Sequence, residues 1–119
     1  MNRAAALILA ALATPALAAP GGQIDSLEPG NYVCELPGDA TGPAGIRQDS
    51  QAFAILNASS YRAGGKNGTY LLTGDVLTMT SGPKSGQRFH RISDRFLREI
   101  GPDGKDTALR CIRQVVNNR

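Results

Sequence analysis

The sequence has no tryptophan, one histidine, two cysteines and two methionines in 119 residues. So few soft donors argue against a structural zinc centre, which wants four ligands. The lone His90 also leaves little for nucleophilic catalysis. No serine sits in a Gly-x-Ser-x-Gly elbow, and no Ser-His-Asp set is legible around it. Phe, Tyr and Trp together make up only 5% of the chain, too few to expect stacked bases. The run Gly64-Gly65-Lys66-Asn67 lacks the upstream glycine and the Ser/Thr after lysine that a phosphate loop needs. Nothing beyond residue 18 is apolar enough to span a bilayer, which takes roughly 20 residues. No later window keeps a helical apolar period either. No motif for a cofactor is present.

What is there begins with a leader. Met1-Asn2-Arg3 is short and positive, and Ala4 to Leu12 is apolar. Thr14-Pro15 breaks the run, and Ala16-Leu17-Ala18 is an Ala-x-Ala cleavage signature. The expected cut lies between Ala18 and Ala19. The mature protein is therefore expected in a periplasm or outside the cell, with no membrane span after cleavage. In such a compartment two cysteines are expected to pair. A Cys34–Cys111 bond would close a loop of about 76 residues, for an upper figure of roughly 4 to 5 kcal/mol.

The rest of the chain reads as short strands and tight turns. Gly30 to Leu36 alternates, with Tyr32, Cys34 and Leu36 on one face. Ala19 to Pro29 is expected to be a flexible lead, and Pro37 to Gln48 a long Pro/Gly-rich loop. Further strands are expected over Gln51–Leu56, Ser60–Ala63, Thr69–Leu72, Val76–Thr80, Gln87–Ser93, Phe96–Ile100 and Thr107–Val115. Phe53 with Ile55, Tyr70 with Leu72, and Leu77 with Met79 mark inward faces. In Gln87–Ser93 the face is ambiguous between Phe89 and the His90/Ile92 set. Gly64 to Gly68 and Gly101-Pro102-Asp103-Gly104 are hairpin signals. Eight strands in series imply one all-β domain over residues 30–116, an antiparallel meander. If its first and last strands pair, it closes as an up-and-down barrel and loses both edges. Interiors of that size can just be filled by side chains or hold one small ligand, and the mostly medium-sized apolar side chains, few of them aromatic, favour a filled one. A two-sheet sandwich is the alternative.

Charge is uneven along the chain. The net charge is +3, and loss of Arg3 with the leader leaves +2. Ala19 to Pro83 holds 3 basic and 6 acidic residues, net −3; Lys84 to Arg119 holds 9 and 4, net +5. Arg88, Arg91, Arg98 and Arg110 are candidate anion-binding residues, facing an anionic envelope polymer or an acidic protein rather than nucleic acid. Strand period puts Arg88 and Arg91 on opposite faces, while Arg98 and Arg110 can be neighbours across the last hairpin.

The segment from Gly30 to Ala40 resembles a group of small exported alphaproteobacterial proteins, notably from sphingomonads. The likeness continues through Ser59-Ser60-Tyr61, Gly68 to Asp75, Thr80 to Lys84 and Leu109-Arg110-Cys111. It implies the same exported, disulfide-bearing scaffold and carries no activity with it. Some members bear the name elongation factor P. A translation factor is larger, cytosolic and presents a modifiable lysine, whereas this chain has a leader and a cysteine pair. A looser likeness is to periplasmic inhibitors of C-type lysozyme, which are small disulfide-bearing barrels. Ser59-Ser60-Tyr61 and Thr73-Gly74-Asp75 echo their layout. The glycine after the serine and the lysine before the glycine are absent. That likeness implies a protein inhibitor acting through a loop, Pro37–Gln48 or Ser81–Gly86.

Overall fold

The computed structural model describes residues 22–39, 42 and 44–115. The expected leader and its Ala18–Ala19 cut lie outside the described residues. Ten strands form among the described residues, with one 3-10 turn, Asp49–Gln51. They are β1 (Ile24–Asp25), β2 (Gly30–Pro37), β3 (Gly45–Arg47), β4 (Phe53–Ile55) and β5 (Ser60–Ala63). Then come β6 (Lys66–Thr73), β7 (Val76–Met79), β8 (Arg88–Ser93), β9 (Phe96–Ile100) and β10 (Asp106–Arg113).

Strands β2 and β4 to β10 pair antiparallel in chain order, and β10 returns to β2. The result is a closed eight-stranded up-and-down barrel. Closure rests on the seam between β2 and β10, where Cys111 lies directly opposite Cys34. The two are joined by a disulfide with Cα atoms 4.0 Å apart. Because the bond crosses the first and last barrel strands, it cross-links the two ends of the chain's fold.

The core follows the strand period. Tyr32, Cys34, Phe53, Ile55, Tyr61, Tyr70, Leu72, Leu77, Met79, Phe89, Leu97 and Cys111 point inward and are buried. Leu36 is only partly buried against them. The ambiguous strand turns Phe89 inward, fully buried, and leaves Ile92 50% exposed. Although aromatics are few, five of the six, all but Phe96, are buried in the core. Tyr32 stacks on Phe53 at 5.4 Å, and Phe89 and Tyr61 meet Phe53 at 5.6 and 6.5 Å. Offset and edge contacts of this kind add to the area each ring buries. A small barrel needs few large side chains, provided they all point the same way.

Four sequence expectations change. First, part of the lead expected to be flexible is placed in the fold. Ile24 and Asp25 pair with Thr73 and Leu72 of β6, and Leu27 is 3% exposed. A two-residue strand and one apolar anchor carry no periodic signal. Second, the 37–48 loop contains β3, which pairs with β2 through Glu35↔Arg47, Leu36↔Ile46 and Pro37↔Gly45. Backbone pairing makes this strand, not burial, since Ile46 is half exposed. A Cβ on Gly45 would meet the Glu35 carboxylate, so a larger residue there would have to displace that side chain. Third, the hairpin loop shrinks to Gly64-Gly65, and β6 starts at Lys66. Both glycines have positive φ, 58° and 78°, the backbone of a two-residue hairpin turn. Fourth, the last strand ends at Arg113 rather than Val115.

Candidate mouth of the barrel

The strands alternate in direction, so the connections sort into two ends. The short turns after β5's neighbour β4 (57–59), after β6 (74–75) and after β8 (94–95) share one end with the segment 22–29. The other end carries Gly64-Gly65, the 38–52 connection, the 80–87 loop and the 101–105 turn.

The first end is closed by the chain itself. Leu27 is buried there, and its N–H donates to the Tyr70 hydroxyl at 3.1 Å. The Tyr70 hydroxyl donates to the Asn57 carbonyl at 2.9 Å, and that of Tyr32 to the Glu28 carbonyl at 3.0 Å. Arg113 Nε donates to the Pro29 carbonyl at 2.8 Å. The Gly74 N–H donates to the Gln23 carbonyl at 2.8 Å. Arg91 reaches Asp25 and Asp75, each at 3.4 Å. Burial pushes the Tyr32 phenol up to about 12 and raises that of Tyr70. The backbone N–H of Ser26, and then Arg91, hold the Asp25 carboxyl below its ordinary value despite a counteracting desolvation.

The second end stays open around a hollow of about 650 Å³. Its walls include Pro83, Ile100 and Pro102, and its polar groups include Gln51, Lys84, Gln87, Arg88 and Glu99. Gln51, Lys84, Gln87 and Glu99 form a chain of bonds. Lys84 Nζ donates to Gln87 Oε1 at 3.4 Å. Gln87 Nε2 donates to Glu99 Oε2 at 3.0 Å and to Gln51 Oε1 at 3.4 Å. Thr107 Oγ1 donates to Glu99 Oε1 at 3.1 Å. The Lys84 ammonium lies 5.7 Å from the centre of the buried Phe53 ring. Burial lowers the Lys84 pKa, and nearby Glu99 acts against that shift.

The 80–87 loop is held firmly over this mouth. The Tyr61 hydroxyl donates to the Ser81 carbonyl and accepts from the Lys84 N–H, both at 2.8 Å. Ser85 N–H reaches Gly82, Gly86 N–H reaches Met79, and Gln87 N–H reaches Lys84, each bonding a carbonyl. Gly68 lets the loop sit down, since a Cβ there would strike the Ser81 carbonyl and the Tyr61 ring. Tyr61 is therefore an internal strut, and Asp75 a partner of Arg91. The disulfide also borders this end. Cys34 Sγ lies 3.4 Å from the Gln51 carbonyl oxygen. A bridged sulfur carries no proton, so this is a packing contact.

The four candidate arginines separate. Arg98 and Arg110 are directly paired across β9 and β10, and His90 pairs with Arg98 across β8 and β9. Arg88 lies two residues from His90 and so on the same outer face, and it borders the mouth. Arg91 points the other way, into the closed end. Arg110 is held by Glu35 at 2.8 Å and also donates to the Ala44 carbonyl. His90 Nδ1 lies 3.4 Å from Asp106 Oδ2. Arg98 lies over the Phe96 ring at 5.8 Å. Sequence reasoning missed Gln51, Lys84, Gln87 and Glu99 as a group. They lie on separate elements, and only the closed barrel brings them together. The chain matches no family model, no curated protein and no solved structure.

Proposed function

We propose that the protein is an exported, non-enzymatic binding module that takes a small polar ligand at the open end of its barrel. The observation that carries this reading is the asymmetry of the ends. One is closed by Leu27 and its tyrosine partners, while the other keeps a hollow of about 650 Å³ lined by converging polar side chains. That volume lies in the range of ordinary ligand sites. The loops around it are the longest in the fold, where binding residues tend to gather on a rigid scaffold. Export to a periplasm or beyond is supported by the leader and by the disulfide, which belongs in an oxidising compartment.

Two measurements test the proposal. Intact mass of the protein recovered from cells, with and without reductant, should fit residues 19–119 with two hydrogens missing. An uncleaved or fully reduced chain would sink the export half. Amide chemical shifts of isotope-labelled protein should then be followed through a panel of neutral sugars, sugar acids, amino acids and short peptides. Saturable shifts centred on Lys84–Gln87 and Gly101 are expected for at least one. A panel that moves none of these amides would remove the mouth as the site.

A second reading has one observation in its favour. The Ser81–Gly86 loop is fixed by the Tyr61 hydroxyl, as an inhibitory loop should be. In that reading the loop would block an enzyme's cleft. Inhibition of a lysozyme by the intact protein, abolished by replacing the loop with a shorter turn, is the result it requires.

A further inference from the structure

The hydrogen-bond balance of the mouth indicates what it binds, given that the mouth is the binding site. The acceptors at its centre are already served. Both Glu99 oxygens take a proton donor from the protein, Thr107 on one and Gln87 on the other. The Gln87 carbonyl takes the Lys84 ammonium. Turning the Gln87 amide over would set its NH2 against that ammonium, so its orientation is fixed by chemistry. The donors are less well served. Among the described residues, Lys84 Nζ has the single long bond to Gln87, and Gln51 Nε2 and the Arg88 guanidinium have no hydrogen-bond acceptor. The charges Lys84, Arg88 and Glu99 sum to one positive.

We propose that this mouth binds a small monoanionic ligand by its carboxylate, held by Lys84 and Gln51 and flanked by Arg88. One carboxylate matches the excess of donors and the single surplus charge. A second negative charge on the same group would lie against Glu99, whose repulsion a half-buried site screens poorly. Pro83, Ile100 and Pro102 offer apolar contact to the body of the ligand. Burial disfavours the charged form of Lys84, and an anion beside the ammonium offsets that penalty by charge attraction. A sugar acid and an acylated amino acid both carry this chemistry at a size the hollow admits.

The experiment is a titration of the oxidised, isotope-labelled protein at neutral pH with glucuronate, N-acetylalanine, glucose and sulfate. Glucuronate or N-acetylalanine should give saturable shifts at Gln51, Lys84–Gln87 and Gly101. The tighter of the two identifies the source, a sugar acid or a peptide-like acid. Glucose should bind about tenfold more weakly or worse, because it lacks the charge-assisted bond. Sulfate should also be weaker, and Glu99→Gln should narrow its deficit. Lys84→Met should lose about tenfold in carboxylate affinity, while Lys84→Arg should keep most of it. Thermal unfolding of each variant checks that the fold is intact, and Gln51→Leu offers an independent route to the same loss. Glucose binding as tightly as glucuronate, or an unchanged carboxylate affinity in Lys84→Met, would overturn the carboxylate assignment and leave the mouth as a site. A mouth silent to both acids would overturn that assignment as well. Shifts confined to the outer-face residues Arg98 and Arg110 would remove the mouth itself.

Discussion

The two ends of the barrel are finished from the same strands in opposite ways. At the closed end the inward positions next to the rim are Tyr32, Tyr70 and Leu72, and the segment 22–29 lies across them. The Tyr32 and Tyr70 hydroxyls and the Leu27 N–H all have partners there. At the open end the corresponding positions are Gln87, Glu99 and Thr107. An apolar plug over those groups would take the Glu99 and Lys84 charges out of water, at a cost of several kcal/mol. A barrel end is thus sealed where its last inward residues can be made dry, and is left wet where they cannot. In this molecule the wet end is also the one with long loops.

The comparison can be pressed at four points. The largest effect is expected from the bond that serves both ends. Replacing Cys34 and Cys111 together by alanine should cost roughly 4 kcal/mol in urea denaturation, because the seam loses its cross-link. A loss below about 1 kcal/mol would mean the strand pairing alone holds the barrel shut. Next is the plug. Leu27→Ala should cost about 3 kcal/mol, as a buried leucine is deleted from the core. Ligand-induced shifts at the mouth should survive it. If stability is unchanged, the closed end is not sealed by Leu27.

The third point is alkaline pH. The folded Tyr32 phenol is raised to about 12 from 10.0, mainly by burial. Its folded state therefore keeps a proton that the unfolded state releases. The stabilisation is complete below about pH 10 and is lost as pH rises through about 12, some 3 kcal/mol in all. Tyr70 is raised in the same direction. Denaturation midpoints should fall across that window, and Tyr32→Phe should remove most of the fall. A wild-type midpoint that stays level would show that the phenol is not buried at the closed end. The smallest effect belongs to the open end. Lys84→Met should change stability by less than about 0.5 kcal/mol, since burial already disfavours the ammonium. A loss of several kcal/mol would make Lys84 a structural residue and erase the contrast between the ends.

The strand pattern was legible because its cause is local. Side chains alternate along any strand, so Phe53 with Ile55 and Leu77 with Met79 declare their inward face by spacing alone. The ambiguous Gln87–Ser93 strand shows where that fails. Phe89 and Ile92 are both apolar, and only the pairing Leu77↔Phe89 decides between them. Likewise Arg98 and Arg110 were possible neighbours in sequence, but their register was not, because it depends on the bulge between Asp106 and Arg110. The partners that hold them had no signal at all. Glu35 is 75 residues from the Arg110 it binds.

By itself, then, the sequence determined the all-β character, the order of the barrel strands, most inward faces and the cysteine pair that meets across the seam. These follow from alternation, turn chemistry and the small number of cysteines, all of which are local or countable. Tertiary structure decided the rest. It placed Leu27 as a plug, made β3 from backbone pairing, and set Arg91 into the closed end among acids. It also gathered Gln51, Lys84, Gln87 and Glu99 around one hollow. Those outcomes depend on which strand ends share a rim. That is fixed only when β10 closes on β2.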